Sequence, residues 1–248
     1  MYNKIYLESF RKELMKVTLL IPTLNEEIGM KAIMPRIKPE WYDQLLIVDG
    51  QSTDGTIDYC KQMGYPYVIQ TRPGLRMAYM DALPHITGDV VLTFSPDGNS
   101  IPELILPCID KMKEGYDMVI VSRYAENAKS YDDDAVTGFG NKLFTTTINL
   151  LHGGKFTDAM VMFRAYKTRM IQDLDLDKDA SYAFEERLFS TNVSWEPLLS
   201  VRAAKRKLKC ADIPGDEPVR EGGVRKLQVI RWGAAYMFEV IREVFVWR

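Results

Sequence analysis

The sequence predicts an α/β protein: a mostly parallel sheet flanked by helices. Three features carry that expectation. Short, continuous apolar runs recur through the first half, at Val17–Ile21, Leu45–Val48, Val90–Phe94 and Met118–Ser122. Runs of this length without alternation mark strands buried on both faces. Helix-length segments separate them, as parallel strands joined by right-handed crossovers require. A polar cluster then follows each run, in turn TLNEE, DGQSTDGT, SPDGNS and SRY. Ligands bind at the carboxyl ends of strands in such sheets, so these loops should converge on one site.

In chain order, VTLLI is a strand ended by Pro22, and GMKAIMPRI reads as a helix. LLIV is a second strand ending at Asp49, and Ser52, Thr53 and Asp54 offer N-caps for a helix through IDYCKQM. Tyr67–Gln70 is a weaker strand, Leu75–Leu83 a helix, and Pro102–Lys113 a helix whose Pro–Glu start suits a first turn. Ala125–Ala135, with Asp132, Asp133 and Asp134, is polar and reads as a mobile loop or a solvated charge run. Gly140–Leu151 is helical with Phe144, Ile148 and Leu151 on one face, and Ala183–Ser190 is a short helix. Ser200–Pro214 carries the basic cluster Arg202, Lys205, Arg206, Lys207 and Lys209. From Leu227 to Trp247, Val229, Trp232, Tyr236, Val240 and Val244 recur at amphipathic helical spacing.

A chain of 248 residues, 46% hydrophobic and 27% charged, suffices for one domain with a sizeable core. A net charge of -2 gives no basic field for a nucleic-acid partner. Three scattered cysteines without a CxxC point to a reducing compartment and no structural zinc. The opening MYNKIYLESFRKELMK mixes charges throughout, unlike a signal peptide. The uncharged run Trp232–Phe238 is far short of the roughly 20 residues a spanning helix needs. The expectation is a cytoplasmic protein, with peripheral contact at the cytoplasmic membrane face and room for an oligomer.

Acid–base options are few. His85 and His152 are the two histidines, and both read as structural. No GxSxG, P-loop or HExxH is present, and no GxGxxG follows the first strand. Acids and amides at strand ends remain, with arginines further on. Asp97, between Pro96 and Gly98, is the one acid in its turn, and turn chemistry alone accounts for the proline, glycine and Asn99.

The stretches IPTLNEE, LLIVDGQSTDGT, GDVVLTFSPDGNSIPE and IVSRY together resemble the GT-A-fold family 2 glycosyltransferases, especially the dolichyl-phosphate mannose synthase-like branch. FTDAMVMFRAYKTRMI is similar to that branch's D-x-x-S-G-F-R segment, and IPGDEPVREGGVRKL to its E-V-P…R-x-G-x-S-K-L segment. The resemblance runs from about Val17 to Leu227. It implies a GT-A fold in one glycosyltransferase domain: a nucleotide-sugar half over about 17–125, an acceptor half over about 126–226, and a C-terminal helix over 227–248.

Carried over by position, the resemblance implies that Pro22, Leu24 and Glu26 line a nucleoside pocket and that Asp49 holds the base or ribose edge. Glu26 also reads as an acid balancing a helix dipole, and Asp49 as a turn former. Pro96 joins the donor-binding set. The family's metal motif, Asp-x-Asp, becomes Ser95-Pro96-Asp97 here, with Asn99 at the amide position. Asp97, Ser95 and Asn99 are the implied ligands of Mg²⁺ or Mn²⁺, hard cations that neutralise a leaving diphosphate. Arg123 matches an arginine that meets an acceptor phosphate. Arg164 matches the G-F-R arginine, in a binding or structural role, with Val161-Met162 replacing the Ser-Gly before it. Asp158 and Glu185 are the implied acceptor-side acids, as base or positioning groups, and Arg220, Arg225 and Lys226 the cations of a glycine-rich lid. The expected reaction is inverting sugar transfer from a UDP- or GDP-linked donor to a polyprenyl phosphate. The alternatives are transfer to a soluble or saccharide hydroxyl, and a non-catalytic nucleotide-sugar-binding protein.

Overall fold

The structure, a computed structural model, describes residues 15–221 and 229–247. Its strands are β1 (Val17–Thr23), β2 (Gln44–Asp49), β3 (Tyr67–Ile69), β4 (Val90–Thr93), β5 (Met118–Ser122), β6 (Arg164–Lys167) and β7 (Cys210–Pro214). The helices are α1 (Glu27–Ile33), α2 (Thr56–Met63), α3 (Leu75–Ala82), α4 (Ile105–Lys113), α5 (Ala135–His152), α6 (Met170–Asp173), α7 (Ala183–Phe189), α8 (Glu196–Lys205) and α9 (Val229–Val246).

All seven strands form one sheet in the order β3-β2-β1-β4-β6-β5-β7. Neighbours run parallel except β6, which is antiparallel to β4 and to β5. The mostly parallel α/β architecture read from the sequence is the one observed. β1 continues past Pro22 to Thr23, whose carbonyl accepts the Gly50 amide at 2.7 Å. β6 and β7 carry no apolar run: RAYK has a charge at each end, and CADIP is half-buried.

Side chains alternate across the sheet as the pleat dictates. Leu19, Ile21, Ile47, Leu92 and Val119 pack on one face under α1, α2 and α4. Leu20, Leu46, Val48, Val91 and Ile120 pack on the other, under α3, α6, α8 and α9. There Trp195 stacks on Tyr79 with ring centroids 4.6 Å apart and meets Tyr166 edge-on at 6.4 Å.

Two details position the site. Asp54 accepts the Glu27 amide at 3.0 Å and the Thr56 amide at 3.0 Å, so one carboxylate caps the starts of α1 and α2 together. Gly29 lets α1 lie directly on the turn after β4: a Cβ there would meet the Pro96 carbonyl oxygen at 2.4 Å.

The basic cluster of 202–209 is split: Arg206, Lys207 and Lys209 are exposed, whereas Arg202 and Lys205 turn inward. Arg202 is buried and donates to Glu243 of α9 at 3.0 and 3.1 Å. Lys205 donates to the carbonyls of Glu243 and Trp247, and Arg206 lies 4.9 Å over the Trp247 ring. These cations clamp the C-terminal helix to α8.

Candidate functional site

A cavity of about 850 Å³ opens at the carboxyl end of the central strands. Its polar end holds Ser95, Asp97, Asn99, Arg123, Glu217 and Arg220, and its apolar wall includes Phe144, Val161, Met162, Trp232 and Tyr236. Of the four strand-end loops, those after β4 and β5 reach it.

Asp97 is buried on the turn after β4. Its Oδ1 accepts the Asn99 amide at 3.2 Å, and its Oδ2 lies 3.1 Å from an Arg220 guanidinium nitrogen. Arg220 also donates to Asp132 at 3.0 Å. Burial opposes the charge on this guanidinium, but Asp97 and Asp132 hold it protonated beyond its ordinary range. The loop of Arg220 is docked twice more: Glu221 donates its amide to the Asp97 carbonyl at 3.0 Å, and Asn99 donates to Glu217 at 3.3 Å. Gly98, at φ 92°, makes this approach possible, since a Cβ there would meet the Glu221 amide nitrogen at 2.8 Å.

Among the described residues, no group of three or more His, Cys, Asp or Glu is placed to hold a metal ion. The donors at this corner are one carboxylate, the Ser95 hydroxyl and the Asn99 amide oxygen, all hard oxygens. Such a set fits a cation that takes its remaining ligands from water and substrate phosphates, as Mg²⁺ does. A positive charge already stands against Asp97, the Arg220 guanidinium.

Arg123, just past β5, is fixed by Asp158. Its Nε donates to Oδ2 at 2.6 Å and a terminal nitrogen to Oδ1 at 3.0 Å, a bidentate pair. The other terminal nitrogen faces Glu217 at 3.4 Å, on the cavity side. Asp158 itself is wholly buried and lies behind Arg123 rather than on the cavity wall. Burial pushes the Glu217 carboxyl above its usual range, although Arg123 and Ser130 work against this.

Other expected residues fall elsewhere. Pro22, Leu24, Glu26 and Asp49 cluster at the ends of β1 and β2, outside the cavity lining. Asp49 is buried and accepts from Ser52 at 2.6 and 2.7 Å and from the Thr23 hydroxyl at 2.9 Å, which fixes the loop. Pro96 is buried under α1. Arg164 is not among the residues lining the cavity. It is fully buried and donates to the carbonyl of Val161 at 2.8 Å, to that of Ala159 at 3.1 Å and to the Ser200 hydroxyl at 2.9 Å. It thereby staples the cavity-lining segment 159–162 to α8. Glu185 points away from the cavity, buried against Arg242 of α9 at 2.6 Å. Its neighbour Glu186 lines the cavity, held by Arg76 at 2.8 and 3.0 Å. Arg225 and Lys226 lie outside the described residues.

Sequence reasoning missed two acids. Glu217 sits in a loop with no periodic signal, and its proximity to Arg123 is a tertiary event. Glu196 opens α8 on the cavity wall, where its Oε1 accepts from the Tyr79 hydroxyl and its buried Oε2 meets no donor among the described residues. The Trp–Glu–Pro start of that helix was the available signal.

The structure is similar to that of glucosyl-3-phosphoglycerate synthase from Mycobacterium tuberculosis in complex with UDP, at a TM-score of 0.63 and 18% identity, over 96% of this chain and 83% of that one. A second structure of that enzyme, with Mn²⁺, UDP-glucose and glycerol 3-phosphate, matches at a TM-score of 0.59 and 18% identity, over 96% of this chain and 82% of that one. In sequence, glycosyltransferase AglJ of Haloferax volcanii is 26% identical over 228 residues, spanning 87% of this chain and 71% of that protein. Undecaprenyl-phosphate 4-deoxy-4-formamido-L-arabinose transferase of Klebsiella pneumoniae is 28% identical over 228 residues, 87% of this chain but 64% of the transferase. Part of each relative's length thus has no counterpart here. The sequence profile described as glycosyl transferase family 2 matches residues 18–175, more than half of the chain, and the protein belongs to that glycosyltransferase family.

Proposed function

We propose that this chain transfers a sugar from a nucleoside-diphosphate sugar to a polyprenyl phosphate. The observation that carries the reading is the two-ended cavity: Asp97, Arg123 and Arg220 at one end and Phe144, Met162, Trp232 and Tyr236 along the wall. A lipid phosphate has that same division between charged head and apolar chain. The relative named for undecaprenyl-phosphate transfer supports it.

In this reading Pro22, Leu24, Glu26 and Asp49 bind the nucleoside, and the diphosphate lies toward Asp97. A divalent ion bound by Asp97 with Ser95 and Asn99 would neutralise charge on the departing diphosphate. Arg220 leaves Asp97 for a phosphate oxygen, and Arg225 and Lys226, which follow within a few residues in the sequence, add positive charge. Arg123, oriented by Asp158, receives the acceptor phosphate. That nucleophile is already ionised, so no base is required. For a hydroxyl acceptor a base is needed, and Glu196, whose buried Oε2 has no donor among the described residues, is a candidate among the carboxylates of the lining.

Calorimetric titration of UDP and GDP with and without Mn²⁺ tests the donor half. Metal-dependent nucleotide binding is expected, and Asp97→Ala abolishes the metal dependence. Binding indifferent to metal in both proteins would remove Asp97 from the ligand set. Product analysis with polyprenyl phosphate against small hydroxyl acceptors then decides the acceptor.

A further inference from the structure

One segment, 216–221, supplies a charge of each sign to the polar end of the cavity. Its Arg220 stands 3.1 Å from Asp97, where a divalent cation would sit, and its Glu217 faces Arg123, where an acceptor phosphate would sit. The Glu217 carboxylate lies in a cradle of three donors. The Ser130 hydroxyl donates to it, the Asn99 amide nitrogen does so at 3.3 Å, and a terminal Arg123 nitrogen is 3.4 Å from both of its oxygens. A hydroxyl, an amide and a guanidinium are equally a donor set for phosphate oxygens.

The Glu217 contact is the replaceable one on Arg123. Asp158 already gives that guanidinium a bidentate pair at 2.6 and 3.0 Å, which neutralises its charge. Glu217 is a second carboxylate on the same cation, 8% exposed and held at the longer distance. A buried anion without a full counter-charge is costly, and the longer bond is the weaker. An incoming phosphate therefore displaces Glu217 and leaves the Asp158 pair intact.

The two charges of the segment are also mechanically joined. They are three residues apart, and Pro218 between them fixes a backbone torsion. The segment is docked at both ends. The Glu217 amide donates to the Lys129 carbonyl at 2.9 Å, and the Glu217 carbonyl accepts the Tyr131 amide at 2.8 Å. Glu221 donates to the Asp97 carbonyl at 3.0 Å, and Arg220 to Asp132 at 3.0 Å. A cation arriving at Asp97 repels Arg220, and a phosphate arriving at Arg123 repels Glu217. Either event loosens the docking that both charges share.

We infer that segment 216–221 is a built-in surrogate for both charged ligands, a two-state element whose docked form each ligand disfavours. By linkage, a divalent ion at Asp97 and a phosphate at Arg123 then promote each other's binding. The ligand roles of Asp97 and Arg123 come from the transfer reading, on which the inference rests; the docked contacts stand without it.

The test uses the full chain without nucleotide, with calorimetry of geranyl phosphate, a short isoprenyl phosphate, and paramagnetic resonance of Mn²⁺. Cross-effects decide the matter, because a simple electrostatic field predicts their reverse. Glu217→Gln removes a negative charge yet should tighten Mn²⁺ binding. Arg220→Gln removes a positive charge yet should tighten geranyl phosphate binding. Each cross-effect is expected to reach at least about fivefold, the lower end of ordinary coupling between sites. In the wild type each ligand should tighten the other by a similar factor, and either substitution should shrink that factor. Loss of geranyl phosphate binding in Arg123→Gln and of Mn²⁺ binding in Asp97→Ala locates the two ligands. Circular dichroism verifies the fold; where Glu217→Gln fails to fold, Glu217→Asp, which keeps the charge but shortens its reach, takes its place. Cross-effects that are absent, or that follow the field, overturn the inference while geranyl phosphate binding leaves the transfer reading standing. Geranyl phosphate that binds no form of the protein, even with Mn²⁺, removes the lipid-phosphate reading and this inference with it.

Discussion

Asp158 gives both carboxylate oxygens to Arg123, and that arrangement limits what either residue can do. A carboxylate so engaged orients a guanidinium and has both oxygens occupied. Removing one member of a buried ion pair leaves an uncompensated charge, so Asp158→Ala should destabilise the protein by about 3–5 kcal/mol. Urea denaturation measures this; a loss below about 1 kcal/mol, the scale of a surface pair, would contradict the burial argument. Asp97 and Arg123 were legible in the sequence because a buried strand delivers each to the sheet's edge. Glu185 was not, for a reason of rotation: successive residues on a helix point about 100° apart. Packing of α7 on α9 turns Glu185 inward to Arg242 and Glu186 toward the cavity. No local pattern records that choice.

At the scale of elements, the packing of α9 depends on how three buried glutamates are neutralised. Arg202 and Arg242 serve Glu243 and Glu185. Burial first, then the carboxylates of Glu185 and Glu243, push the Glu239 carboxyl well above its ordinary value. A group with a raised pKa in the folded state stabilises the fold fully below its unfolded value, and this stabilisation is lost as pH rises through the folded value. The thermal midpoint should therefore fall as pH climbs from about 4.5 upward, the ordinary glutamate value. Glu239→Gln, which keeps the donor and removes the ionisation, should flatten that fall. A wild-type midpoint that holds or rises across the neutral range would contradict it. The amphipathic period of this segment was visible in sequence, and Val240 does face inward. Which side of the helix faces the core was not visible, because its buried glutamates look like a solvated stripe until Arg202 of α8 is placed opposite Glu243.

For the whole molecule, the central question is whether two cores on one sheet behave as one unit. Trp41 packs against the core under α1 and α4, and Trp195 lies in the core under α8 and α9. Strands β1, β2, β4 and β5 contribute side chains to both, so neither core survives without the shared strands. Single-tryptophan proteins retaining Trp41 or Trp195 should show coincident denaturation curves, the mark of two-state unfolding. Separated midpoints would mean two independent units. The first half of the fold was readable because parallel strands buried on both faces have little freedom of composition. In the second half β6 is four residues with charged ends, and α8 is buried along most of its length despite Arg202 and Ser200. Their environments come from distant segments, and periodicity cannot report them.

The contact between Gly29 and Pro96 has a consequence for the ligand. The helix that follows the β1 loop, where the nucleoside is proposed to bind, touches the turn that carries Asp97, with no flexible spacer and no room for a methyl group. The separation between the two proposed subsites is thus fixed by hard-sphere repulsion, like the jaws of a set gauge. Gly29→Ala would reset that gauge by a fraction of an ångström while leaving every group at the cavity wall chemically intact. Donor discrimination by length would then change before donor chemistry did.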